Sequence, residues 1–177
     1  MTTNNNQPPF SETALDFTSD NAKVTLADSE SWVFRHEDFT IESWVYCTDL
    51  SESGDYLNDK TIFGSMTSRN KLQFLFYIRH SGELGFWNGR DSVGGGKLEN
   101  DTWHHVALVR RNLRIYMYVD GKLVYTGCHV FDYRQNGGFS IGAAYDPWLS
   151  SSPGWSRYFK GYMQDFRVTK GHAVYTS

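Results

Sequence analysis

From residue 39 onward the chain breaks into short runs in which apolar and polar positions alternate. "FTIESWVYC" (39–47), "TIFGSM" (61–66), "KLQFLFYI" (71–78) and "ELGFW" (83–87) are rich in aromatic and β-branched residues, with Gly, Asn, Asp and Ser clusters between them. That is the composition of strands bounded by turns. "WHHVALVR" (103–110), "LRIYMYV" (113–119), "KLVYTG" (122–127), "GFSIGAA" (138–144) and "YFKGYMQDFRVT" (158–169) continue the series. No window carries a helical period with caps. Roughly ten to twelve short strands in one domain predict an all-β fold, a two-sheet antiparallel β-sandwich.

The same alternation decides how the "WHHVALVRRNLRIYMYVDGKLVYTG" stretch is read. Neighbouring side chains of a strand point to opposite faces, so His104 and His105 diverge and do not share a metal. Asp120-Gly121 between two alternating runs predicts a hairpin, because a type I′ turn needs two positive φ angles that Asp and Gly tolerate. With a loop of those two residues, Met117 faces Val124 and Tyr116 faces Tyr125. Asp120 is then a turn residue, not a catalytic acid.

A chain of 177 residues with 40% hydrophobic and 16% aromatic content has material for one core, with no need of a metal or disulfide to fold. A net charge of −3 argues against nucleic-acid binding and against attraction to anionic membranes. No stretch approaches the ~20 apolar residues of a membrane span, which argues against insertion. Residues 1–12, "MTTNNNQPPFSE", are polar and Asn-rich with a Pro pair, and are expected to form a flexible arm ahead of a domain over 13–177. The arm has neither the cationic nor the apolar region of a secretory signal. Cys47 and Cys128 each end a strand-like run and read as reduced structural residues; a bridge between them stays open at this stage.

Three motifs resemble chemistry. "GFSIG" (138–142) has the G-x-S-x-G spacing of a nucleophile elbow, but "AAYDPWLSSSPGW" follows where that elbow needs a helix. "SVGGGK" (92–97) lacks the first glycine of a phosphate loop and has Leu98 where Ser or Thr is required, so it reads as a flexible connection. Asn100-Asp101-Thr102 is a glycosylation sequon, read as incidental. The Pro/Gly/Ser-rich segment 145–158 is different, because long irregular loops are often functional. It gathers Tyr145, Trp148, Trp155 and Tyr158, rings able to stack on a sugar or anchor a protein contact. The alternative is that the tryptophans fold back as a lid on the core.

"FTIESWVY", then "WHHVALVRRNLRIYMYVDGKLVYTG", "GFSIGAA" and "FKGYMQDFRVTKG" occur in the order of laminin G-like, concanavalin A-like lectin/glucanase jelly rolls, which the chain resembles over about residues 14–175. The ending "YMQDFRVTKGHAVYT" is similar to copies of this domain in structural proteins of tailed phages, especially marine ones. The resemblance implies two curved sheets used for binding or assembly, with Trp44 and Trp103 in the core. Glucanase relatives use paired carboxylates on one strand, a spacing absent here, so no enzymatic activity is expected. Laminin G-like relatives often hold one calcium ion at the rim on Asp side chains and carbonyls. Asp49, Asp55, Asp59 and Asp146 are the candidates, against the reading of a solvated acidic loop. No other cofactor is implied.

A fold of extracellular recognition proteins on a chain without an export signal fits a virion protein, made in the host cytoplasm and released by lysis. The resemblance therefore implies a non-enzymatic head decoration or fibre subunit, oligomeric on the particle. It would dock on capsid or tail proteins through Asn4, Asn5, Asn6, Pro8, Pro9 and Phe10 and gain avidity from repeated copies. The alternative is a carbohydrate-binding lectin or adhesin that recognises host surface glycans through the tryptophan segment.

Overall fold

The computed structural model describes residue 9 and residues 13–65, 74–129, 138–146 and 154–175. Within them the chain forms fourteen strands and two short 3-10 turns, at Glu30–Trp32 and Tyr56–Asn58. One sheet has the order β1 (Leu15–Asp16), β14 (Gly161–Lys170), β3 (Phe39–Cys47), β8 (Trp103–Arg111), β9 (Arg114–Val119), β10 (Lys122–Cys128). The other runs β2 (Val24–Leu26), β11 (Phe139–Ile141), β4 (Lys60–Ser65), β5 (Leu75–Ile78), β6 (Leu84–Trp87), β7 (Ser92–Gly95). The strands of both sheets pair antiparallel, and β12 (Ala144–Asp146) with β13 (Gly154–Ser156) makes a small separate ladder. The expected two-sheet antiparallel sandwich of jelly-roll type is the fold found. No helix among the described residues is long and apolar enough to cross a membrane.

Period-two alternation explains what lies between the sheets. On β3, Phe39, Ile41, Val45 and Cys47 enter the core, where they meet Ile62, Phe63, Phe74, Phe76, Ile78, Phe86 and Phe139 from the second sheet. Phe63 and Phe139 stack with centroids 4.4 Å apart, and Phe74 meets each of them edge-on at 6.1 and 5.9 Å. Each ring withdrawn from water contributes about 1.5–3 kcal/mol before packing effects. Arg110 is also fully buried. Its guanidinium sits 5.0 Å over the Phe39 ring and donates to the carbonyls of Phe34, Arg35 and Glu37. Those bonds make the burial of a charge tolerable.

His104 and His105 point to opposite faces, as alternation requires. His104 Nε2 accepts from the Glu99 N–H at 3.1 Å, so Nδ1 carries the proton donated to Asp120 at 2.7 Å. His105 Nε2 lies 3.2 Å from Glu42. Asp120 and Gly121 have φ of 50° and 73° in the expected two-residue turn. The register beyond that turn departs from the expectation, with Met117 opposite Tyr125 and Tyr116 opposite Thr126, because a bulge at Val124 shifts the ladder by one. The bulge turns the Val124 carbonyl toward β7, where a β-carbon on Gly95 would come within 2.3 Å of it.

Two more expectations are corrected here, and the reading of the cysteines as reduced is met. "SVGGGK" is not a flexible connection: Ser92–Gly95 is a strand paired with β6, and its glycines admit the approach of β10. Trp44 and Trp103 are not core. They lie half-buried on the outer face of the first sheet, in ring contact with His105 and Tyr46 respectively. Cys47 and Cys128 are free thiols, Cys47 buried and Cys128 exposed. Burial pushes the Cys47 thiol up to about 12.

The segment after β14 folds back over the outer face of the first sheet. Ala173 packs with Ala107, Val109 and Tyr118. Tyr175 donates its hydroxyl to Glu42, a buried carboxylate that Arg167 also holds at 2.8 and 2.9 Å. Burial and the Glu42 charge push the Tyr175 phenol from 10.0 up to about 12. The protonated phenol is the form the fold favours, so its contribution is full below pH 10.0, the unfolded value, and is lost as pH rises through about 12. Tyr175→Phe is expected to lower stability at pH 7 by about 1.5–3 kcal/mol, the worth of a hydrogen bond to a charged group. It should also flatten the alkaline decline, which urea unfolding across that range would measure.

Candidate functional site

Alternation on the second sheet leaves its outer face with few and particular residues. Leu75, Trp87 and Ser92 stand side by side across β5, β6 and β7, and Tyr77, Gly85 and Gly94 make the next row. Gly85 is required by close approach: a β-carbon there would lie 2.6 Å from Tyr77 Cζ. Without one, the phenol lies across the strand and its hydroxyl shares a 2.7 Å hydrogen bond with Ser92 Oγ. Arg79 reaches Ser92 Oγ at 3.2 Å and pairs with Glu83 at 2.6 Å.

Two short segments rise beside this floor. Asp55 caps the 3-10 turn at Tyr56–Asn58 in a capping box, which presents Tyr56 at 58% exposure. Arg157, directly after β13, has φ of 51°, and its carbonyl accepts from the Thr61 N–H at 3.0 Å. Its side chain is 10% exposed, pairs with Asp146 at 3.1 Å, donates from Nε to the Tyr56 carbonyl and lies 5.1 Å from the Tyr56 ring centre. Asp59 is buried, and its Oδ1 accepts from the backbone N–H of His80 at 2.9 Å and lies 3.2 Å from His80 Nδ1. Burial outweighs these bonds and raises the Asp59 carboxyl above its ordinary value.

Tyr56, Asp59, Leu75, Tyr77, Trp87, Ser92 and Arg157 together line a pocket of about 300 Å³. Aromatic walls with a few placed polar groups are the usual make-up of a small-ligand site. Thr61 Oγ1, Ser156 Oγ and Arg157 Nη1 are buried without a hydrogen-bond partner, and all three belong to the segments tied by the Thr61–Arg157 bond. Buried polar atoms without partners are uncommon and concentrate where structure serves something other than stability.

The residues expected from sequence fall in several places. Tyr145 and Trp155 pair across β12–β13 with rings 5.6 Å apart, and Lys23 sits 4.9 Å over Trp155. By alternation they are on the side opposite Ala144 and Asp146, which face the sheet. Residues 145, 146 and 154–156 belong to strands, where a loop was expected. Tyr158 is partly buried, which raises its phenol pKa, and is not in the pocket. Trp148 lies outside the described residues, as do Asn4, Asn5, Asn6, Pro8 and Phe10; Pro9 is exposed. Of the carboxylates considered for calcium, Asp49 pairs with Lys60 at 2.8 Å, Asp55 caps its turn, Asp59 holds His80 and Asp146 holds Arg157. Among the described residues no three His, Cys, Asp or Glu are placed to hold a metal.

Other motifs are absorbed by structure. Ser140 is fully buried, and its hydroxyl donates to the Ala143 and Gly64 carbonyls at 2.6 and 3.3 Å. The Asn100 side chain is held by both backbone groups of Leu50 at 2.8 Å. Trp87 and Arg157 were missed by sequence reasoning. The available signal was "ELGFWNG", in which Leu84 and Phe86 alternate with Gly85 and Trp87, leaving a large ring beside a glycine on the second face.

These features define a lectin-like β-sandwich with a pocket on one outer face. The chain belongs to the concanavalin A-like lectin/glucanase superfamily, whose laminin G-type family model matches residues 18–172. No curated protein matches it. Among solved structures it is similar to the Ruminococcus gnavus IT-sialidase CBM40 bound to α2,3-sialyllactose, with TM-score 0.64, 15% identity, 92% of this chain and 91% of that one. It is also similar to domain 4 of AbnA, a GH43 extracellular arabinanase from Geobacillus stearothermophilus, in complex with arabinotriose (0.59, 18%, 92% and 77%). A Bacteroides ovatus protein named as a candidate carbohydrate-binding protein matches at 0.56 and 20% identity over 87% of this chain, which spans only 44% of that protein. At these identities the likeness is one of fold.

Gly85→Ala should force the Tyr77 ring off the sheet and break its bond to Ser92. The expected loss is about 1–3 kcal/mol, as for other overpacked sites, read from denaturant unfolding.

Proposed function

We propose that this domain is a non-catalytic carbohydrate-binding module whose ligand occupies the pocket on the outer face of β5, β6 and β7. The observation that carries the reading is the pocket itself: the exposed Tyr56 ring and the partly buried Trp87 ring beside Asp59 and Ser92 in one concavity. A sugar offers an apolar face of C–H groups and a rim of hydroxyls, which matches aromatic rings bordered by a few hydrogen-bonding groups. Carbohydrate ligands in the CBM40 and arabinanase-domain neighbours support the reading by analogy of fold.

Printed glycan arrays probed with the full chain test it. Saturable binding to at least one glycan is expected, with at least tenfold loss of affinity in Trp87→Ala, while thermal unfolding shows the variant folded. An array with no bound glycan would refute the proposal.

The likeness of residues 162–176 to phage structural proteins favours a second, finer reading in which this module is displayed on a virion. There the arm 1–12 docks on capsid or tail proteins and the pocket faces host glycans. Deleting residues 1–12 should leave a normally folded domain that no longer enters particles in an infection assay; unimpaired incorporation would exclude docking through the arm.

A further inference from the structure

We infer that the pocket selects neutral sugars and rejects carboxylated ones, with the Asp59 carboxylate accepting a ligand hydroxyl while the pyranose ring lies on Trp87. This deepens the carbohydrate reading and rests on it.

The inference comes from the charges around the pocket. Among the described residues, Arg157 is the one cationic side chain in the lining, and its charge is met by Asp146 at 3.1 Å. Its Nη1 is enclosed by protein, and its Nε and Nη2 are committed to the Tyr56 carbonyl and to Asp146. Among the described residues no fork of guanidinium donors is left open for a ligand carboxylate, the arrangement that acidic-sugar recognition would require. Arg79, beside Ser92, is met by Glu83 in the same way. Asp59 remains, a carboxylate at the pocket whose one directly paired basic group among the described residues is the His80 ring. A second carboxylate brought into this half-buried space would face that charge at low effective dielectric.

Hydrogen-bond capacity agrees with charge. Both contacts of Asp59 from His80 fall on Oδ1, and Oδ2 has no hydrogen bond among the described residues. An ionised carboxylate only accepts, so its complement is a donor. The Tyr77 and Ser92 hydroxyls, bonded to each other, can each take or give one further bond. A neutral pyranoside supplies these donors and acceptors along one edge and a C–H face for Trp87. A sialoside or uronate supplies the same face with an added charge of the wrong sign.

Isothermal titration calorimetry of the full chain at pH 7 tests the inference with the methyl glycosides of glucose, galactose, mannose and glucuronic acid, and with sialyllactose. At least one neutral glycoside should bind at least tenfold more tightly than either acidic ligand. In Asp59→Asn, which keeps the shape and an acceptor for the His80 N–H, neutral binding should weaken about tenfold and the discrimination against acids should shrink. Thermal unfolding of the variant verifies that its fold is intact; Ser92→Ala, which removes a hydroxyl and no charge, should weaken neutral binding without altering the discrimination. Tighter binding of an acidic ligand, or neutral binding and discrimination unaltered in Asp59→Asn, would overturn the inference while leaving the carbohydrate function standing. Absence of binding to every ligand here and on the arrays would remove both.

Discussion

The interleaved phenylalanines between the two sheets are the constraint from which the rest of the structure follows. Phe63, Phe74 and Phe139 form one contact set, joined to Phe34, Phe39 and Phe86, and they come from both sheets and from the turn before β3. Aromatic rings bury large area but tolerate few relative orientations, so once this layer is filled each strand has a fixed face inward. Register then has no freedom, since a slip by one residue would exchange the two faces of a strand. Placement of Leu75, Tyr77 and Trp87 on the outside is thus a consequence of Phe74, Phe76 and Phe86 being inside.

That coupling explains how far the sequence could be read. Strands such as Phe39–Cys47 and Trp103–Arg111 are plain in the alternation, because a buried face and a second face of different character leave a period of two. The Asp120-Gly121 turn is plain for the same local reason. What local pattern does not contain is the bulge at Val124, which answers to the proximity of Gly95 on a strand distant in sequence. The glycine run 92–97 misleads similarly: glycine has low strand propensity, and only the crowding of β10 and the Tyr77 ring shows why small residues line that edge. Trp44 and Trp103 mislead in the other direction. An aromatic in a strand suits a core, but both fall on the outer parity, where other rings and the returning segment 171–175 half-cover them.

The site was less readable than the fold because it is assembled from four separate parts of the chain. Asp59 and Asp146 were recognised as carboxylates of interest, yet their partners His80 and Arg157 decide what they do, and those pairings are tertiary. Tyr145 and Trp155 pair across β12 and β13, and strand parity turns them to the opposite side of their ladder from the pocket.

Arg157 shows where this architecture places its local costs. A left-handed φ of 51° at a residue with a β-carbon disfavours folding by about 1–3 kcal/mol, and an enclosed donor without a partner by about as much again. Neither cost is needed to close the sandwich, whose core would be the same with a glycine at that position. Both are needed to bring one side chain back over the Tyr56 carbonyl and ring while its own carbonyl ties β4 to the segment after β13. The result is a wall that stands beside the sheet without belonging to it. Floor and wall therefore answer to different constraints: the floor is fixed by the aromatic core beneath it, and the wall by the contacts of Arg157 with Tyr56, Asp146 and β4.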